Sequence, residues 1–296
     1  MNKYPIDIII PWVNSNDIRW RNEFTRWKRR ETGNTSDCRF RDWGFIKYVL
    51  RSIEQHCPWS RYVILVLSSP SQIPSWLNTQ NPKLKIVYHS QYIPRSYLPT
   101  FNSNVIEMFF YNIPFLSENF ISCNDDMIFT QPLKESFFFV DDMPVCNKSI
   151  KHIYDGEWDK MLNNCINVAD MLTGSCEHIM YDTFHLPVAY KKSLQAFLMN
   201  KIRKQFFDAF SHSRFRLPKN LTHLFFFDMQ CKMNICHFTD KRRGQYYRLD
   251  HINSIPRLFK NPMVCLNENE FTQAEHVSTA MSILNIIFEH KSSFEV

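Results

Sequence analysis

Four short apolar runs, separated by amphipathic stretches, constrain this chain most. "IDIII" (6–10), "YVILVL" (62–67), "LKIVYH" (84–89) and "NFISC" (119–123) are rich in β-branched residues, the composition of buried strands. Pro11 stops the first. Between them, Ile46, Val49, Leu50 and Ile53 recur at helical spacing from Trp43 to His56, with Pro58 beyond the end. "NSNVIEMFFYNI" (102–113) reads as another helix, with Val105, Met108 and Phe109 on one side and Pro114 after it. Strands alternating with helices predict an α/β fold: a doubly wound, mainly parallel, Rossmann-like sheet. Ligands of such sheets bind beyond the carboxyl ends of the strands. "PWVNSND" (11–17) and "NDD" (124–126) both fall at that edge.

The second half is expected to be more helical. Residues 140–185 show no clear periodicity and read as a mobile or substrate-dependent insertion. A long helix is predicted from Lys191 to Phe210, and a buried one in "THLFFFDMQCKM" (222–233). For the last helix, Thr272 and Glu275 have capping-box spacing, and Val277, Met281, Leu284 and Phe288 form the apolar stripe. With 296 residues, 44% hydrophobic, the chain can bury a substantial core. Five glycines against 26 phenylalanines exclude a low-complexity or disordered chain. The nine cysteines are scattered; Cys231 and Cys236 are the closest, with no second pair at zinc-ligand spacing. They read as reduced thiols of a cytoplasmic protein. The N-terminal apolar run is too short for a signal peptide, and no stretch nears the roughly 20 apolar residues of a spanning helix. The expectation is a soluble cytoplasmic protein, with room for peripheral contact at the inner membrane face. Net charge is +6, concentrated after residue 190, which suits an anionic partner.

Two adjacent carboxylates inside "FISCNDDMIF" (120–129) need an explanation, because they repel each other and lose hydration unless compensated. One reading is a turn or helix cap, a common use of Asn-Asp. The other is a divalent-metal site, hard oxygen ligands on a short turn with phosphate supplying further ligands. Asp17 lies just past a strand and is expected to approach the same edge.

Longer matches bear on that choice. "IDIIIPWVNSNDIRW" resembles the first block of the Stealth family. Residues 39–129 resemble its second block, with R-F-R-D, L-R-S-I-E-x-H-x-P-W, P-S-W-L-N, L-P-T-F-N-S-x-x-I-E and N-D-D in order. "FHLPVAYKKS" (184–193) and "KNPMVCLNENE" (260–270) resemble the third and fourth. Asn14 and Ser15 stand where the family usually has Asp and Gly, and Glu268 replaces an aspartate.

The resemblance implies a transferase that moves a sugar 1-phosphate from a UDP-sugar to a saccharide hydroxyl in capsule or exopolysaccharide synthesis, releasing UMP. Its partners are then a nucleotide-sugar donor and a saccharide or polysaccharide acceptor, with no nucleic acid. It assigns Asp125 and Asp126 to Mg²⁺ or Mn²⁺, and His185 to a general base. Arg216, with Arg214 as a substitute, becomes a phosphate clamp. Trp12, Asp17, Arg39, Arg41, Asp42, Asn124 and Asn267 are expected to bind substrate or fix the site. Asn102 and Ser103 either bind the donor or cap the following helix. Residues 1–140 then form the nucleotide-sugar core, and 141–296 complete one catalytic unit. Two other readings stay open at this point: a metal-dependent glycosyltransferase releasing UDP, and a non-catalytic polysaccharide- or nucleic-acid-binding protein using the basic C-terminal half.

Overall fold

The computed structural model describes residues 2–251 and 260–296. The first half holds β1 (Ile6–Pro11), α1 (Ile18–Lys28), α2 (Ile46–His56), β2 (Val63–Leu67), β3 (Leu84–Tyr88), α3 (Ser103–Met108) and β4 (Asn119–Ser122). Then come β5 (Met127–Phe129), β6 (Phe139–Val140), β7 (Met143–Asn147), α4 (Glu157–Thr173), β8 (Val188–Lys191), α5 (Lys192–Lys201) and α6 (Arg203–Phe210). The chain ends with α7 (Leu224–Lys232), β9 (His237–Thr239), β10 (Gln245–Arg248), β11 (Met263–Asn267) and α8 (Ala274–Ile287).

β1 pairs in parallel with β2 and β4, β2 pairs in parallel with β3, and β8 joins β4 antiparallel, giving the order β3-β2-β1-β4-β8. Alternate residues feed two cores. Ile8, Ile10, Val63, Leu65 and Ile121 pack with α2 and α8 on one face. Ile9, Ile64, Val66 and Phe120 pack with α3, α4, α5 and α7 on the other. Burial on both faces is why these strands read as unbroken apolar runs. The α/β architecture with a mostly parallel central sheet is therefore as expected. Two small sheets, β10-β11-β5 and β6-β7-β9, flank it.

Three local expectations are corrected. The stretch from 140 to 185 contains β7 and the 17-residue α4, whose Met161, Leu162, Cys165, Ile166 and Ala169 are buried. Gly156 N donates to Asp159 Oδ2 at its start, and Gly174 ends it at φ +70. The predicted helix 191–210 is two helices. Ile202, fully buried, breaks helical geometry at φ −103 and ψ 19, so α5 and α6 can each turn an apolar face inward. The last helix is capped one residue later than expected: His276 Nδ1 accepts from Gln273 N, while Thr272 Oγ1 accepts from Asn269 N. No described helix is long and apolar enough to cross a membrane.

Candidate active site

From β1 the chain proceeds to β2 and β3 on one side, whereas β4 lies on the other. Such a switch point leaves a crevice beyond the carboxyl ends of the two central strands. A cleft of about 1150 Å³ opens there, reached by Pro11 and Trp12 after β1, by Asn124–Asp126 after β4, and by the end of β11.

One group of lining residues is acidic. Asp42, Asp125, Asp126 and Glu268 all border the cleft. Burial, then repulsion from Asp126, Asp42 and Glu268, pushes the Asp125 carboxyl well above the usual range. Burial also raises Asp42 and Glu268. Glu268 is partly compensated: it forms an ion pair with Arg41, and Trp43 Nε1 donates to it at 2.6 Å. Asp126 Oδ2 accepts from Asn267 Nδ2 at 3.4 Å, but its buried Oδ1 has no hydrogen-bond partner among the described residues. Clustered hard oxygens, one without a partner and another surrounded by like charge, fit a divalent cation such as Mg²⁺ or Mn²⁺.

A second group is cationic. Arg216 is buried, its Nη2 donates to Ser103 Oγ, and its guanidinium lies 5.3 Å from the Trp158 ring. Burial and the adjacent Arg39 bring it down to about 9, so it stays protonated at neutral pH. Arg39, more exposed, is also lowered, by partial desolvation at the cleft. A buried guanidinium and a second one that repels it favour an anion that each can grip with a planar fork. The backbone beneath them is tightly set. Asn34 N donates to Arg216 O at 2.8 Å, and a side chain on Gly33 would put its Cβ 2.5 Å from the Phe215 Cβ.

Of the three histidines in the lining, His89, His185 and His223, the last two make contacts that bear on the site. His185 follows Phe184 in a left-handed turn, at φ +52 and +54, held by Phe184 N donating to Asp182 Oδ1 at 2.8 Å. Non-glycine residues in that conformation are strained, and such strain concentrates at functional sites. Ligating atoms of His185, Asp126 and Cys265 lie within 4.8 Å of one another, and Tyr246 stands edge-on to the imidazole at 5.6 Å. Burial lowers His185 below its ordinary value, with Asp126 opposing, which keeps the ring neutral and able to accept a proton near pH 7. His223 Nδ1 pairs with the buried carboxylate of Glu107, also at the cleft.

Comparison with known proteins settles the family. Residues 39–146 match Stealth protein CR2, conserved region 2. A capsular polysaccharide phosphotransferase of Streptococcus thermophilus is 34% identical over 75% of this chain and 94% of its own length. The chain belongs to the Stealth family. Another capsular polysaccharide phosphotransferase, from Streptococcus pneumoniae, is 29% identical over 98% of both chains. A solved galactosyltransferase aligns over 97% of this chain and 96% of its own at a TM-score of 0.47 and 8% identity, a likeness too slight to bear on the reaction.

Most positions singled out through the Stealth blocks line the cleft: Trp12, Arg39, Arg41, Asp42, Ser103 and Asn124, together with Asp125, Asp126, His185, Arg216 and Asn267. Asn267 links two of its walls, donating to Asp126 and accepting from Tyr246 Oη at 2.8 Å. Asp17 and Asn102 do not line it. Asp17 caps α1 by accepting from Arg19 N, and also accepts from Ser71 and Gln72. Asn102, fully buried, caps α3 through Asn104 N and donates to Asn220 Oδ1 at 2.8 Å. Of the departures from the family pattern, Asn14 and Ser15 lie outside the lining, whereas Glu268 lies within it. Glu107 and His223 were not expected as site residues. The signal for Glu107 was an acid within the otherwise apolar "VIEMFF"; nothing local marked His223.

Proposed function

We propose that this Stealth protein moves a sugar 1-phosphate from a UDP-sugar to a saccharide hydroxyl, forming a phosphodiester and releasing UMP, in the assembly of a capsular or extracellular polysaccharide. The supporting observation is the charge arrangement of one cleft, where the crowded carboxylates of Asp125 and Asp126, the buried Arg216 with Arg39 beside it, and a neutral imidazole meet. The names of its relatives point the same way. At about 1150 Å³ the cleft is large enough for a nucleotide sugar together with the end of an acceptor.

Asp125 and Asp126 hold Mg²⁺ or Mn²⁺, which when bound offsets negative charge on the donor pyrophosphate. Arg39 and Arg216 grip the transferred phosphoryl group and favour the charge that builds on its oxygens. His185 takes the proton of the acceptor hydroxyl. That oxygen bonds to the β-phosphorus, the bond from this phosphorus to the bridging oxygen breaks, and UMP leaves with the electron pair. No bond to the anomeric carbon changes, so the sugar keeps its configuration. In this reading residues 1–140 supply Asp125, Asp126 and Arg39 and 141–296 supply His185 and Arg216, completing a single catalytic unit. The protein then works in the cytoplasm, where it can meet the inner membrane face or capsule-assembly machinery.

The test is the released nucleotide. With a UDP-sugar, a saccharide acceptor and Mg²⁺ or Mn²⁺, UMP should accumulate in step with a phosphodiester seen by phosphorus NMR. Stoichiometric UDP and a phosphorus-free product would replace this reading with glycosyl transfer.

A further inference from the structure

Away from the cleft, three cysteines from separate segments converge. Cys146 lies on β7, Cys231 in the last turn of α7, and Cys236 in the connection to β9. All three are buried, and their sulfurs lie within 4.8 Å of one another. None borders the catalytic cleft. A disulfide would use two of these thiols and strand the third, so pairing does not account for the group. Apolar packing does not account for it either, because a polar side chain is directed at it. Gln230 is fully buried; its Nε2 donates to Cys146 Sγ at 3.3 Å and to Ala189 O, while its Oε1 has no partner among the described residues. An amide N–H aimed at sulfur is the kind of outer contact that steadies a metal-bound thiolate.

We propose that Cys146, Cys231 and Cys236 bind a structural Zn²⁺, its fourth position filled by water. Three sulfurs this close match a tetrahedral thiolate site, and soft sulfur ligands select zinc over magnesium or calcium. Binding is not redox: Zn–S bonds form as S–H protons pass to solvent. The site explains how a wall of the active cleft is held. β7 and β9 pair in parallel, with Cys146 opposite Phe238, and the same segments run on to Asn147 and to Thr239–Gln245 at the cleft. The ion would fasten β7, α7 and β9 beneath that wall. It is separate from the cation at Asp125 and Asp126, and it does not depend on which bond the enzyme cleaves.

Untagged protein, purified under reducing conditions without chelator, should carry stoichiometric zinc by mass spectrometry. A mercurial thiol reagent should release that zinc, and excess Mg²⁺ should not. Protein reconstituted with Co²⁺ should show near-ultraviolet thiolate-to-metal bands and intense tetrahedral visible bands. Cys146→Ser and Cys231→Ser should lose both signals, whereas Cys176→Ser, at an exposed cysteine, should keep them. The cobalt spectrum of the unmodified protein decides the matter even if a cysteine variant fails to fold. Sub-stoichiometric zinc together with no thiolate–cobalt band would overturn the proposal, as would zinc content unchanged in a folded Cys231→Ser protein.

Discussion

Replacing Asp125 with asparagine keeps the shape of the side chain and removes one charge, so it isolates the electrostatic cost of the acidic wall. Burial and three like charges raise the Asp125 carboxyl well above its ordinary value. The sign follows. Below the unfolded value of about 3.9 the group is protonated in both states and there is no penalty. As pH rises past that value the folded state is progressively disfavoured, until the folded value is reached, and the cost is constant beyond it. Each unit of upward shift corresponds to about 1.4 kcal/mol. Asp125 is only partly buried, so solvent screens some of this, and relief of comparable functional-site strain is worth about 0.5–2 kcal/mol. Asp125→Asn should therefore raise the melting temperature at neutral pH in EDTA by roughly 2–6 °C, using the scaling for a chain of this size. Mg²⁺ or Mn²⁺ should then stabilise the unmodified protein by mass action and the variant much less, narrowing or reversing the gap. Turnover should be lost although the variant is the more stable protein. Calorimetry with and without metal, alongside nucleotide release, reads all three. A variant no more stable than its parent in EDTA, with native near-ultraviolet dichroism, would refute the reasoning. So would a parent protein whose melting ignores the metal.

His185→Ala should lower turnover by about two to four orders of magnitude with donor affinity nearly unchanged; a variant that binds donor poorly yet reacts normally at saturation would make His185 a binding residue. Arg216→Lys keeps a cation but not the planar fork beside Trp158, so kcat/KM should fall by about a hundredfold; near-normal kinetics would remove Arg216 from phosphate binding. Glu295 accepts from Arg51 Nε and Nη2, each at 2.7 Å. Burial would raise its carboxyl, but Arg51 and Ser292 bring it below the ordinary value. Its stabilisation is therefore present above the unfolded value and lost as pH falls through the folded one. Glu295→Gln should cost about 1–3 kcal/mol near neutrality, and urea titrations should show the difference shrinking in acid; an undiminished difference there would exclude the carboxylate as its source.

The central sheet was legible because both of its faces are covered. Ile8 and Ile9 face different cores and both are fully buried, so β1 shows as a continuous run without alternation. α4 was harder to see. It does carry a helical stripe, but its other face includes Asn163, Asn164 and Asn167, amides that contrast with apolar neighbours less than charges do. One of them, Asn164, donates to Pro218 O and Asn220 O. The break at Ile202 had no local signal, neither glycine nor proline; only the packing of two helices onto one core decides it.

At the site, what could be read depended on how local each role was. That the acids after β4 sit at a strand end could be read locally, but preferring metal over a turn there, like singling out Arg39 and Arg216, required the longer match to a family pattern. Asp17 and Asn102 show why residue type is a poor guide near helix starts. A short oxygen-bearing side chain just past a strand suits a ligand, and the same side chain suits an orphan N–H of the next helix. Here the helices use both. Glu107 is the instructive case. Its carboxylate is only 4% exposed in a helix whose neighbours Val105 and Met108 are core, a placement that is costly without a partner. That partner, His223, arrives from just ahead of α7 and is invisible to any window around residue 107. An isolated acid within an apolar helix therefore predicts a distant basic group, and in this chain the pair it predicts forms part of the wall of the cleft.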